Sequence, residues 1–399
     1  MIPRRLRQMR TGVLAAAALL TLFTAAWLWA AYRTSDDRLP PGAYEPHAAP
    51  GWNVAKEEAK AAREDALARA RVWRRPDVPI EKADFTRNAG DRDSLDPAEP
   101  LSCKFLPRPT SGTTPKFDCI LPGGRLVKVK YGGTAENYAE VAASRLLAAL
   151  GFGADRMYVV PRVRCFGCPI SPFRSYQALE IARMDEAYTR RIDYGQYRDF
   201  EWAAVEKRFE APSIEAGEVE GWAFYELDKI DPARGGSSRA EVDALRLMAI
   251  FLHHWDNKAE NQRLVCLAEP SGDRNGPCPK PYAFVQDVGS TFGPNKVNLE
   301  SWRTRRLWRN ATTCEVTMED MPFGGATFQT IRISEAGRLF LADKLGRLRA
   351  EQIRALFKAA RFPAYHSPRD PGADVGNWVL AFQAKVREIS DRMPCPPEG

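Results

Sequence analysis

The stretch His253-His254-Trp255-Asp256-Asn257-Lys258-Ala259-Glu260-Asn261-Gln262 places an acid, a cation and a second oxygen ligand close together, in the spacing His254-x-Asp256-x-Lys258-x-x-Asn261. Phosphoryl transfer needs those three group types around one γ-phosphate. A helix ending in soluble amides and charges would look the same, so the stretch has to be judged by what stands around it.

Downstream, the strand-like run Tyr282-Ala283-Phe284-Val285 delivers Asp287, and Gly289 frees the backbone just after it. An Asp-x-Gly element in that setting holds metal in kinases. Upstream, in Leu126-Val127-Lys128-Val129-Lys130-Tyr131, the two lysines share one face of a strand while Val127, Val129 and Tyr131 take the other. Either lysine could reach the phosphates of a nucleotide. Glu140, on the helix expected to follow, is in line with Ala143, Leu147 and Leu150 and so faces the apolar side. A buried acid wants a partner, and a strand lysine is the nearest candidate. Glu136, one turn earlier, reads as a charge favourable at the helix N-terminus, and His254 as a buttress of its loop.

Taken in order, Lys128 with Glu140, Asp256-x-Lys258-x-x-Asn261 and Asp287-x-Gly289 resemble the atypical branch of the protein kinase-like fold. That branch holds the HipA-type kinases, the spore-coat CotH kinases, the secretory-pathway kinases and the phosphoinositide kinases. Ser111-Gly112-Thr113-Thr114-Pro115-Lys116-Phe117 resembles the nucleotide loop of HipA-type kinases, where small residues let backbone N–H groups meet phosphate. Asp287-Val288-Gly289-Ser290-Thr291-Phe292-Gly293 is similar to the metal motif of the secretory kinases. The likeness runs over about residues 101 to 360 and is specific at about a dozen positions. It implies Asp256 as base or orienter of an acceptor hydroxyl, Lys258 as neutraliser of the transferred phosphoryl, and Asn261 and Asp287 as ligands of Mg²⁺ or Mn²⁺. It implies ATP on Ser111, Gly112, Thr113 and Thr114, with Lys128 or its neighbour Lys130 on the α/β-phosphates. The segment Phe224-Tyr225-Glu226-Leu227 would be the hinge, meeting adenine through backbone groups of Glu226 and Leu227. No Gly-x-Gly-x-x-Gly loop and no Ala-Pro-Glu follow the ordinary eukaryotic pattern, so the acceptor, a protein or a small molecule, is not inherited. Two other functions fit the same residues: a pseudokinase scaffold, against which the complete Asp256, Asn261 and Asp287 set speaks, and transfer of a nucleotidyl group to protein.

The elements that must position these residues follow from the patterning. Strand-like runs at 117–121 and 125–131 flank Pro122-Gly123-Gly124, a hairpin signal. A helix is predicted over 135–150, stopped by Gly151, and further strands at 156–164, 175–183 and 222–228. Helices are predicted at 239–252, 335–345, 350–360 and 377–392, and residues 264–285 as two strands joined by a loop that Cys266 and Cys278 pin. Strands first and helices later predict an α+β fold of two lobes, a β-rich lobe over 101–225 and a mainly helical lobe over 226–399. Before them, residues 33–100 read as a tether containing a helical spacer at 52–75, alanine-rich and polar all round.

With 399 residues, 44% of them hydrophobic, the chain can bury a large core. Arg4, Arg5, Arg7 and Arg10 precede 22 uncharged residues, Thr11 to Tyr32, long enough to cross a bilayer with the N-terminus cytoplasmic. Residues 1–32 are therefore read as a single-pass signal anchor. A cleavable signal is the rival, disfavoured because Trp27-Leu28-Trp29 stands where small residues are needed. Either way the domain lies outside the cytoplasm, and eight cysteines suit an oxidising compartment. Short separations favour Cys103 with Cys119, Cys165 with Cys168 and Cys266 with Cys278, leaving Cys314 and Cys395. The net charge of +7 is spread along the chain and does not call for nucleic acid. Ser301-Trp302-Arg303-Thr304-Arg305-Arg306-Leu307-Trp308-Arg309-Asn310 reads as a solvated face with its tryptophans packed inward, in preference to a binder of an acidic substrate or a phosphate.

Overall fold

In a computed structural model of the protein, alternation of apolar and charged residues closes the first part of the chain into a barrel. Helix α1 (Ala59–Ala68) precedes strands β1 (Leu101–Leu106), β2 (Lys116–Ile120) and β3 (Leu126–Lys130); helix α2 (Ala135–Leu150) lies between β3 and β4 (Arg156–Phe166). Helices α3 (Pro172–Ile181) and α4 (Asp185–Thr189) lead to β5 (Tyr197–Lys207). The strand order is β1-β2-β3-β5-β4, and β1 runs parallel to β4 to shut the barrel. One face of these strands packs Phe105, Phe117, Val127, Val129, Tyr158, Val160 and Val205 into a core that also holds Cys103, Cys119 and Cys165. The other face carries Lys116, Asp118, Lys128, Lys130 and Glu206, the period-two consequence of the same register.

The structure describes residues 38–397 apart from 48–53, 56, 89–93, 96–98, 217–218, 268–276 and 323–325. The expected membrane segment therefore falls outside the described residues, among which no helix is long and apolar enough to cross a membrane. Met1–Pro41 and Gly42–Gly399 form separate units, and the elements named here belong to the second.

Helix α2 begins at Thr134, whose hydroxyl caps the Asn137 N–H, and ends where Gly151 adopts φ 95°, a conformation costly to any residue with a Cβ. The second part of the chain holds α5 (Arg239–Leu252), strands β6 (Gln262–Cys266) and β7 (Pro281–Val285), α6 (Leu299–Thr304), and the short pair β8 (Glu315–Val316) and β9 (Ile331–Arg332). Helices α7 (Glu335–Gly346), α8 (Ala350–Ala359), α9 (Phe362–Tyr365) and α10 (Val375–Ser390) complete it. A reciprocal Ser238–Glu241 capping box starts α5. Four disulfides are present: Cys103–Cys119, Cys165–Cys168, Cys266–Cys278 and Cys314–Cys395. Trp302 is fully buried and Trp308 nearly so, while Arg305 pairs outward with Asp320.

Four expectations change. Residues 175–183 are mostly helix α3, because Pro172 at its first turn fixes a helical φ and so starts a helix. Residues 222–228 lie largely in a 3₁₀ turn, Phe224–Lys229, and the final strand of the barrel is β5, whose polar outer half (Tyr197, Arg198, Asp199, Glu201) hid its alternation. The tether is also shorter than expected. Leu67, Ala70, Val72, Ile80 and Phe85 share one core with α2 and α5, so residues from α1 to Phe85 belong to the folded body. The chain leaves the barrel at 208–214, where Ile214 N–H donates to Leu264 C=O and Cys266 N–H to Pro212 C=O, rather than at 225.

Candidate active site

Strand β3 brings Lys130 to its C-terminal end, and α2, starting five residues later, folds back over it. Lys130 Nζ donates to Glu140 Oε2 at 2.5 Å and lies 3.5 Å from Asp287 Oδ1 and 3.7 Å from Glu206 Oε2. The partner of Glu140 is thus Lys130, and not Lys128 as the motif order suggested. Lys128 stands opposite Asp118 and Glu206 and reaches Glu206 Oε1 at 3.4 Å. Burial by itself would lower the Lys130 pKa, but Asp287, Glu140 and Glu206 together raise it well above the ordinary value. Lys130 is therefore a fixed cation. Burial pushes Glu140 up to about 8, partly offset by Lys130 and reinforced by Asp287 and Glu206. Glu206 is held well below the usual range, because Lys128, Lys130 and Arg208 outweigh its burial.

The loop after α5 is stitched from both sides. His253 ends the helix in the left-handed conformation, φ 56°. His254 is buried with Nε2 3.2 Å from Gln262 Nε2, and burial lowers its pKa to about 4 against a smaller opposing pull from Asp287. Trp255 N–H donates to Ser290 C=O, and Asn257 Oδ1 accepts the Thr327 and Phe328 N–H groups. Asn261 Nδ2 donates to the Asp256 carbonyl at 2.7 Å, so its Oδ1 turns the other way, and Gln286 N–H donates to Asn261 C=O at 3.0 Å. Asp256 and Asn261 are thereby tied to the residue before Asp287.

Asp287 adopts φ 50°, and its side chain is 35% exposed. Lys130 holds its pKa below the ordinary carboxylate value despite burial. Asp256 goes the other way: burial raises it, Lys258 opposes and Asp287 reinforces. Its Oδ1 is buried and has no hydrogen-bond partner among the described residues. Phe292 anchors the Asp287 loop, its ring 5.2 Å from Trp302 and 5.0 Å from Phe362. The donors gathered here are carboxylate and amide oxygens, the set that suits Mg²⁺ or Mn²⁺.

Two residues to which sequence reasoning gave no role in the site belong to it. Lys116 is registered beside Lys130, 8% exposed, with Nζ 3.1 Å from where a Cβ on Gly112 would stand. Burial and the neighbouring Lys130 and Lys128 lower its pKa, with Asp287 opposing. The signal available was a third lysine on the face already marked by Lys128 and Lys130, one strand away. Glu136 does more than complement the helix N-terminus. It accepts from the Thr114 hydroxyl and from Lys296, bridging the loop over Lys116 to the segment after Asp287. Gly289 is required by this contact, since a Cβ there would lie 2.4 Å from Glu136 Cγ.

The 111–114 loop places Ser111, Gly112 and Thr113 at an exposed tip and Thr114 inward against Glu136. Glu226 and Leu227 are elsewhere. The Glu226 carboxylate is taken by Arg63, Lys229 and the Ala223 N–H, the Glu226 N–H donates to Ala223 C=O, and the Leu227 C=O accepts from Ile230 N–H at the end of the same 3₁₀ turn. The segment that crosses between the two parts is 208–214, with Phe209 N–H on Asp155 Oδ1.

No family model and no curated protein matches this sequence. Among solved structures, the crystal structure of a Helicobacter pylori proinflammatory kinase, CtkA, is similar to it with a TM-score of 0.40 and 10% identity, over 74% of this chain and 95% of that one. A likeness this loose assigns neither an activity nor a family.

Proposed function

We propose that the protein is a phosphotransferase that moves the γ-phosphoryl of ATP, with Mg²⁺ or Mn²⁺, to a hydroxyl of a protein or small molecule. The observation that carries this reading is Lys130, buried where Glu140, Glu206 and Asp287 converge, with the Asp256–Asn261 loop hydrogen-bonded to the residue before Asp287. Lys130 and Lys116 would hold the phosphate chain under the 111–114 loop, with Glu140 fixing Lys130 in place. Asn261 Oδ1 and Asp287 would hold the divalent cation, which supplies charge neutralisation of the phosphates. Asp256, its carboxylate poised by burial, accepts the proton of the acceptor hydroxyl. The acceptor oxygen then bonds to the γ-phosphorus as the bond to the β–γ bridging oxygen breaks, and ADP leaves. Lys258, beside Asp256, neutralises charge on the group in transfer. Four disulfides and the apolar segment before residue 33 support action outside the cytoplasm, from a single N-terminal membrane anchor.

The test incubates the purified protein with ATP labelled at the γ- or the α-phosphate, with and without Mg²⁺, as wild type, Asp256→Asn and Asp287→Ala. Metal-dependent γ-transfer abolished in both variants is the expected result. Transfer of the α-label instead would make the protein a nucleotidyltransferase, and nucleotide binding with no transfer a scaffold.

A further inference from the structure

A second site lies away from the Lys130 cluster. Arg69, Arg71, Arg74, Arg75, Arg234 and Lys280 line one cavity of about 520 Å³. None of the residues assigned to phosphoryl transfer lines it. Its walls are built on pinned backbone. Ala70 and Val72 are fully buried and turn their arginine neighbours outward. Arg71 N–H donates to Pro281 C=O, Ala283 N–H to Arg71 C=O, and Arg74 N–H to Gly151 C=O. The Trp73 indole donates to Leu150 C=O. Across the cavity, Lys280 C=O accepts from Leu267 N–H at the root of the loop closed by Cys266–Cys278.

The charges do not cancel. Asp65 pairs with both Arg69 and Arg234, and Glu241 with Arg71 at 2.8 Å. Arg74, Arg75 and Lys280 have no ion pair or hydrogen bond to a described side chain. Among the described residues, six cations against these two paired carboxylates leave a surplus of four positive charges in one concavity. Five of the six are arginines, whose planar forks match tetrahedral oxyanions in a way lysine does not, and the volume is that of a small-molecule site. We propose that this cavity binds a ligand carrying two or more phosphate groups, either a free oligophosphate or the headgroup of a phospholipid.

The test titrates inorganic tripolyphosphate calorimetrically into the wild-type protein, Arg74→Gln/Lys280→Gln, and a charge-matched control, Arg354→Gln/Lys358→Gln, on the exposed side of α8. All four side chains are exposed, so the folds are retained, which circular dichroism verifies. At least tenfold weaker binding in Arg74→Gln/Lys280→Gln and unchanged binding in the control is the expected result. A parallel arm sediments the same proteins with phosphatidylcholine vesicles with or without cardiolipin. Capture by cardiolipin vesicles that the first double variant loses identifies a lipid headgroup, and tripolyphosphate binding without such capture identifies a free ligand. Absence of both interactions, equal loss in the control, or a polyglutamate peptide binding as tightly as tripolyphosphate would overturn the proposal. A failure here leaves the phosphotransferase reading intact, since the two sites share no residue.

Discussion

Lys128 and Lys130 are two residues apart on one strand face, yet their replacement should have very different consequences. Lys130 has three carboxylates at 2.5, 3.5 and 3.7 Å, whereas Lys128 has one, at 3.4 Å. At an effective dielectric near 20, each contact of this kind carries a gross attraction of roughly 4 to 7 kcal/mol, most of which offsets the cost of taking the charges out of water. Lys130→Met leaves Glu140 and Glu206 buried without the cation they share. The expected loss is that of breaking a buried pair from one side, about 3 to 5 kcal/mol. Lys128→Met leaves Glu206 with Lys130 and Arg208, the latter at 3.2 Å, and should cost about 1 kcal/mol or less. Urea unfolding of both variants at pH 9, above the Glu140 pKa of about 8, measures the two costs. The double variant Lys130→Met/Glu140→Leu should recover much of the loss, because no unpaired charge remains at Glu140. Equal costs for the two single variants, or no recovery in the double, would refute the assignment of Lys130 as the central cation.

Burial holds His254 neutral, with a pKa near 4 against 6.5 when unfolded. The unfolded chain therefore binds the extra proton between those values, and the stability His254 supports is complete above about pH 6.5 and falls by roughly 3 kcal/mol on the way to pH 4. The stability difference between wild type and His254→Asn should narrow by about that amount over the same range, and a constant difference would contradict it. Gly289→Ala forces a Cβ to within 2.4 Å of Glu136 Cγ and 3.2 Å of its carbonyl. It should lower stability by about 1 to 3 kcal/mol, and Glu136→Ala in the same chain should restore part of it in a thermal melt. Cys314–Cys395 closes a separation of 81 residues and Cys103–Cys119 one of 16. Replacing each pair by alanine should cost about 4 to 5 and about 3 kcal/mol respectively on chain-entropy grounds, read as denaturation midpoints, and the reverse order would show native-state packing to dominate.

Features set by neighbours in the chain are legible in the amino-acid sequence alone. Gly123-Gly124 makes the hairpin because two left-handed residues in succession need glycine. Thr134 and Gly151 bound α2 through the local chemistry of caps, and the three shortest cysteine separations pair as their spacing favours. The order of Asp256, Asn261 and Asp287 is legible too, since each sits beside its own loop or strand signal. The choice between Lys128 and Lys130 is not, because a period of two makes them equivalent until β5 supplies Glu206 and α2 supplies Glu140 from across the fold. Lys116, the Thr114–Glu136–Lys296 bridge, the crossing at 208–214 and the arginine-lined cavity depend likewise on residues that only closure of the barrel and docking of α1 and β7 bring together. Alternation, capping and loop closure act over a few residues and can be read along the chain. Which charges end up sharing a buried site is decided by strand register and helix placement, contacts whose sequence separations no local pattern encodes.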